Sequence, residues 1–146
     1  MARRLTDEER EMFDAFVCEN SFCWACGIYP GDFKDMEWAR KQVDYPRWLE
    51  RHHIVKQCRV HARWNLCNLC KLCHDLAEMH TVRLELEPLP YLKLENVLWL
   101  KVMFDRDNYD AEAMQKYSIR RIPQPEAPDA WFMKQLSNRR RLPKSL

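Results

Sequence analysis

No stretch of this sequence approaches the roughly 18 consecutive apolar residues of a membrane-crossing helix, because charges interrupt every hydrophobic run. A membrane partner is therefore not expected. The first ten residues, MARRLTDEER, lack the apolar segment of a secretory signal. Internal repeats and low-complexity tracts are also missing, which excludes repeat architectures. Carboxylates are absent throughout Arg51 to His74, where five Lys or Arg and four histidines stand. The small net charge of +2 thus conceals a strongly basic segment. A second basic run closes the sequence with Lys134, Arg139, Arg140, Arg141 and Lys144, and the intervening Asp75 to Glu112 is acidic. Two basic zones flanking an acidic one suit a protein that meets a polyanion on one surface.

At 146 residues the chain suits one compact unit, burying roughly 70% of its extended surface, so it has no need of disulfide staples. Yet it has 7 cysteines. The odd count and the missing signal segment speak against a disulfide framework and for a reducing, cytoplasmic setting with thiols free or metal-bound.

Thr6 and Glu9 form a capping-box pattern ahead of Met12, Phe13, Phe16 and Val17 at helical spacing, which predicts a helix from about Asp7 to Glu19. A short helix is expected within Asp32 to Val43, ended by Pro46. Trp48 to Val55 reads as extended, as does Val60 to Leu66, and helix resumes near Lys71. Thr81 to Glu87 alternates apolar and charged residues as a strand does. Helices are predicted from Leu94 to Met103, from Ala111 to Tyr117, and after the capping Asp129 through Leu136. The expected fold class is α+β: residues 1–87 form the core with its N-terminal helix, and 88–146 form a helical extension packed on it with a basic tail. Trp48 and Trp64 are expected in the core, and Asp105, Asp107 and Asp110 in a solvated turn, because their spacing lacks the glycine and terminal glutamate of a calcium loop.

Cys23-Trp-Ala-Cys26-Gly27 has the two-residue spacing that brings two thiolates to one tetrahedral zinc. About forty-five residues on, Cys67, Cys70 and Cys73 repeat that spacing twice. Two such sets point to structural zinc. If helix begins near Cys70, then Cys70 and Cys73 lie one turn apart on one face and share the metal, with Cys67 a packed thiol. The other pairing is Cys67 with Cys70.

Cys23-x-x-Cys26, His52-His53-Ile54, Asn65 and Leu69-Cys70-x-x-Cys73-His74 together resemble, in order, spacing and residue type, the zinc-containing HNH endonucleases of bacteriophages and mobile elements. The resemblance spans about Cys23 to His80. It implies a zinc-stabilised ββα-metal core of two strands and a helix, with treble-clef-like zinc on Cys23, Cys26, Cys70 and Cys73. It further implies DNA as partner, His53 as general base, His52 and His74 as ligands of a separate divalent ion (magnesium, manganese or nickel), and Asn65 as the residue tying down the loop that orients His53. Hydrolysis would leave a 3'-hydroxyl and a 5'-phosphate.

The chemistry is coherent without the name. Phosphodiester hydrolysis needs a base for water and a cation on the phosphate, and neutral histidine can serve as either base or ligand near neutral pH. Arg51, Lys56, Arg59, Arg63 and Lys71 are candidate phosphate contacts beside the site, and Arg139, Arg140 and Arg141 in a basic arm. His61 and His80 are read as surface or packing residues. In a regular strand His52 and His53 point to opposite faces, so catalysis predicts irregular backbone at that pair. The rival readings are a noncatalytic zinc module that binds nucleic acid or protein, and an RNase of the same fold. No organic cofactor is expected, and a monomer and a homodimer are equally compatible with the sequence.

Overall fold

The computed structural model describes residues 4–28, 48–56, 60–80, 83–84 and 87–139. The helix expected within Asp32 to Val43 lies outside the described residues, as do Cys58, Arg59, Arg140 and Arg141.

Helix α1 spans Asp7–Glu19. Its first turn is closed as the capping box predicts: the Glu9 amide donates to Thr6 Oγ1 and the Thr6 amide to the Glu9 carboxylate. Phe13 and Phe16 are its buried face. Strands β1 (Leu49–His53) and β2 (Leu66–Cys70) form an antiparallel pair in the register Leu49↔Cys70 to His53↔Leu66. Cys70 then leaves the ladder and begins helix α2, Lys71–Ala77. Two strands and a helix in direct succession make a small α+β core around a cluster of four cysteines.

The second strand is displaced from its expected position. Instead of running from Val60 to Leu66, it begins at Leu66, after a single 3-10 turn at Arg63–Asn65. Asn65 is the reason. Its side chain accepts from the Val55 amide and donates to the Val55 and Val60 carbonyls, so residues 60–65 close a loop and do not extend. All five residues of β2 are buried, which removes the alternation by which a half-buried strand is recognised. The single strand expected over Thr81 to Glu87 is also revised. Its described parts, β3 (Arg83–Leu84) and β4 (Glu87–Pro88), pair antiparallel with each other.

Helix α3, Leu94–Phe104, packs on β2 and buries Val97, Leu98 and Leu100 in the same core as α1 and the cysteines. Helix α4 spans Ala111–Tyr117, capped by the Asp110 carboxylate on the Ala113 amide. Helix α5 spans Ala130–Arg139, with the Asp129 carboxylate accepting from the Trp131 and Phe132 amides. Trp64 packs partly buried against the core and stacks on Tyr117 of α4, ring centroids 5.8 Å apart. Among the described residues no helix is long and apolar enough to cross a membrane.

The acidic turn after α3 is not solvated throughout. Asp105 is buried and joins Lys101 (2.7 Å) and Arg63 (3.3 Å), while Asp107 remains exposed. Lys101 is fully buried, and its ammonium also donates to the Arg63 and Leu66 carbonyls at 2.7 and 2.9 Å. One cation on α3 thereby holds the junction at which β2 begins.

Candidate functional site

The first centre is built on a tight turn. The Gly27 amide donates to the Cys23 carbonyl and the Cys26 amide to Cys23 Sγ, which places both sulfurs on the same side. Gly27 adopts φ 78°, the left-handed conformation glycine enters without cost. Asn68 of β2 fastens this turn to the sheet: its carbonyl accepts from the Trp24 amide, and its side-chain amide donates to the Asn20 and Phe22 carbonyls. Cys70 at the end of β2 and Cys73 in the first turn of α2 complete the set. The four sulfurs lie within 4.8 Å of one another, and Cys26 Sγ is 3.8 Å from Cys70 Sγ.

Thiolates at the usual zinc–sulfur distance around a tetrahedral ion stand about 3.8 Å apart, so this quartet could hold a metal such as zinc. All four are buried. Burial, followed by the neighbouring thiols, pushes the Cys23 thiol well up from its ordinary value. At Cys73 the crowding of the other three thiols comes first and burial adds to it. Four buried thiolates are tolerable only around a cation, as expected of a structural zinc set. Cys67 alternates with Cys70 along β2 and lies outside the quartet as a fully buried thiol.

The second cluster lies between β1 and α2. His52, His74 and Glu78 each offer a ligand atom within 4.8 Å of the others. Glu78 Oε1 is 3.4 Å from His52 Nδ1 and 3.3 Å from His74 Nε2. Two imidazole nitrogens converging on one carboxylate oxygen at such distances could hold a metal ion. His52 Nδ1 is moreover buried with no partner in hydrogen-bonding geometry, the kind of orphaned atom that a ligand satisfies. On the far side of His74, Nδ1 meets Glu50 Oε1 at 3.0 Å. A carboxylate on one ring nitrogen is the usual device for aiming the other at a metal.

Burial draws the His52 pKa down, against the pull of Glu78. For His74 burial acts in the same sense but is outweighed by Glu50 and then Glu78, and its pKa rises. Glu78 is held far below the usual carboxylate range, first by His52 and then by Lys56. Glu50 is lowered chiefly by His74.

Sequence reasoning missed Glu78 and Glu50. The signal for Glu78 was present, because a residue four places after His74 shares its face of the helix. Glu50 has the analogous relation to His52, two residues apart on one strand face.

His53 is placed elsewhere. The ladder runs in regular register through His52↔Cys67 and His53↔Leu66, and the irregular backbone expected at this pair is absent. Both residues find partners on β2, so the ordinary alternation of a strand holds. His52 faces α2, whereas His53 Nε2 lies 3.0 Å from His61 Nδ1, and His61 sits edge-on against Phe13 of α1. Arg51 shares that face, its guanidinium 4.6 Å from the Phe13 ring. Asn65 is fully buried in the loop hydrogen bonds described above.

Among the described residues, the basic side chains of Arg51, Lys56, Arg63 and Lys71 are engaged within the protein. Arg63 pairs with Glu19 and Asp105, Lys56 with Glu78, and Lys71 with Asp75. Arg139 ends α5. His80 is largely exposed beside Asp75. Compared with family models, with curated proteins and with solved structures, the chain has no significant match.

Proposed function

We propose that the protein is a metal-dependent endonuclease acting on DNA, in which a zinc on the four cysteines holds the ββα core and a second divalent ion is held by His52, His74 and Glu78. The observation that carries this reading is the second donor set, with its orphaned His52 nitrogen, lying in a basic segment. When bound there, the ion supplies Lewis acidity to a phosphate oxygen. His52 and Glu78 bind from the strand and the helix, and Glu50 orients His74. His53, the base that the resemblance implies, is half-buried at the end of β1 on the face opposite the cluster, so its part in the reaction is what the His53→Ala comparison decides, and Asn65 fixes the loop that follows it.

The second reading, a noncatalytic zinc module that binds nucleic acid, is favoured by one observation: His53 and His52 diverge to opposite faces of a regular ladder. Purified protein incubated with supercoiled plasmid and magnesium, manganese or nickel separates the two. Cutting that is lost in His53→Ala and in Glu78→Gln is the expected result. Equal cutting by wild type and His53→Ala removes His53 as base, and no cutting by any form favours the binding module. Competition by RNA against plasmid tests the ribonuclease alternative.

A further inference from the structure

A groove of about 570 Å³ opens against the second metal cluster, and His52 and Glu78 belong to both. Its size falls within the range of small-ligand sites, about 300–1,000 Å³. The walls are aliphatic, formed by Ile54 and Val55 after β1, Leu92 and Val97 at the start of α3, and Ile122. Lys56, Lys93 and Arg120 also line it, against the carboxylates of Glu78 and Glu95. A cation on His52, His74 and Glu78 would leave the groove positive at the end where those residues stand, and apolar within.

That combination suits a nucleotide. A nucleotide carries a flat, weakly hydrated base and an anionic phosphate, and apolar walls beside cationic groups satisfy both ends. A base inside a duplex cannot use such a concavity, because its faces are covered by its neighbours in the stack. We propose that the groove receives an unpaired nucleobase adjoining the phosphate at the metal cluster, so that the substrate is single-stranded, bulged or branched DNA and not a continuous duplex. This rests on the nuclease reading for the identity of the phosphate site. The binding preference is nevertheless measurable without any cleavage.

The test uses zinc-loaded protein with manganese added for the second cluster and three fluorescein-labelled oligonucleotides with cleavage-resistant phosphorothioate linkages: a paired duplex, the same duplex with one unpaired nucleotide, and the single strand. Anisotropy titration is expected to give about tenfold tighter binding to the bulged and single-stranded forms than to the duplex, the scale of burying one base face against aliphatic walls. Ile122→Trp fills the groove from its half-exposed wall and is expected to erase that difference, leaving duplex affinity unchanged. Arg120→Glu, a surface change that threatens the fold less, is expected to reduce the difference severalfold.

Equal affinity for all three oligonucleotides, the outcome if the groove takes a peptide segment instead, overturns the proposal. A preference that survives Ile122→Trp in protein with unaltered thermal unfolding also overturns it. If no DNA is cut under any condition but the preference appears and is erased by filling, the nuclease reading fails and the groove assignment stands. Cutting together with equal binding has the converse meaning.

Discussion

Lys101→Met tests whether one buried ammonium joins the extension to the core. Methionine keeps most of the side-chain volume and removes the charge. The loss is therefore electrostatic: the hydrogen bonds to the Arg63 and Leu66 carbonyls and the ion pair with Asp105 disappear together. The ammonium also lies 5.7 Å from the Phe16 ring and 5.6 Å from the Trp24 ring, between α1 and the cysteine turn. Removing one partner of a buried pair costs about 3–5 kcal/mol, because the remaining charge stays buried. At this chain length each kcal/mol is worth about 2–4 °C, so thermal unfolding of zinc-loaded protein should fall by about 6–20 °C. Adding Asp105→Asn to Lys101→Met should recover part of the loss, since the stranded carboxylate goes with it. A drop of under about 1 kcal/mol, or strict additivity of the two changes, would refute the reasoning. The acid limb supplies a further check. Burial alone would raise the Asp105 pKa, but Lys101, Asn108 and Arg63 outweigh it and the net shift is downward. Its contribution is thus complete above the unfolded carboxylate value and is lost as pH falls through the lowered folded one. Stability should decline more gently below about pH 4 in Asp105→Asn than in wild type.

Metal analysis after dialysis should find about one tightly held zinc per chain, and Cys73→Ser should lose both zinc and cooperative unfolding, since structural zinc binding carries about 10–16 kcal/mol of folding free energy. Retention of metal and fold in Cys73→Ser would remove it from the set. With zinc in place, calorimetric titration should detect a second, weaker manganese or nickel site that Glu78→Gln abolishes. Glu50→Gln should weaken it about 10–100-fold through loss of His74 orientation, whereas unchanged affinity in both variants would dismiss the three-residue cluster as a ligand set. Asn65→Ala removes three hydrogen bonds from the 54–65 loop. It should cost about 2–4 kcal/mol in denaturant unfolding, against under about 1 kcal/mol if solvent replaces them.

What could be read in advance was whatever depends on residues near one another in sequence. The capping box at Thr6, the cap at Asp129 and the Cys-x-x-Cys spacings each encode their geometry within four residues, and the structure displays all of them. The position of β2 was not legible, because burial on both faces removes its period and its cysteines read first as metal ligands. The Arg63–Asp105–Lys101 network was hidden for a different reason: it joins Arg63 to residues about forty positions on, and Arg63 reads as a phosphate contact and Asp105 as part of a solvated turn when each is taken with its neighbours alone. That network bears on the site itself. The ammonium that accepts burial on α3 fixes the carbonyls of Arg63 and Leu66, Asn65 lies between those two residues, and Asn65 in turn holds Val55 beside the histidine pair. The loop that follows His53 is therefore restrained from the helical extension as well as from the strand.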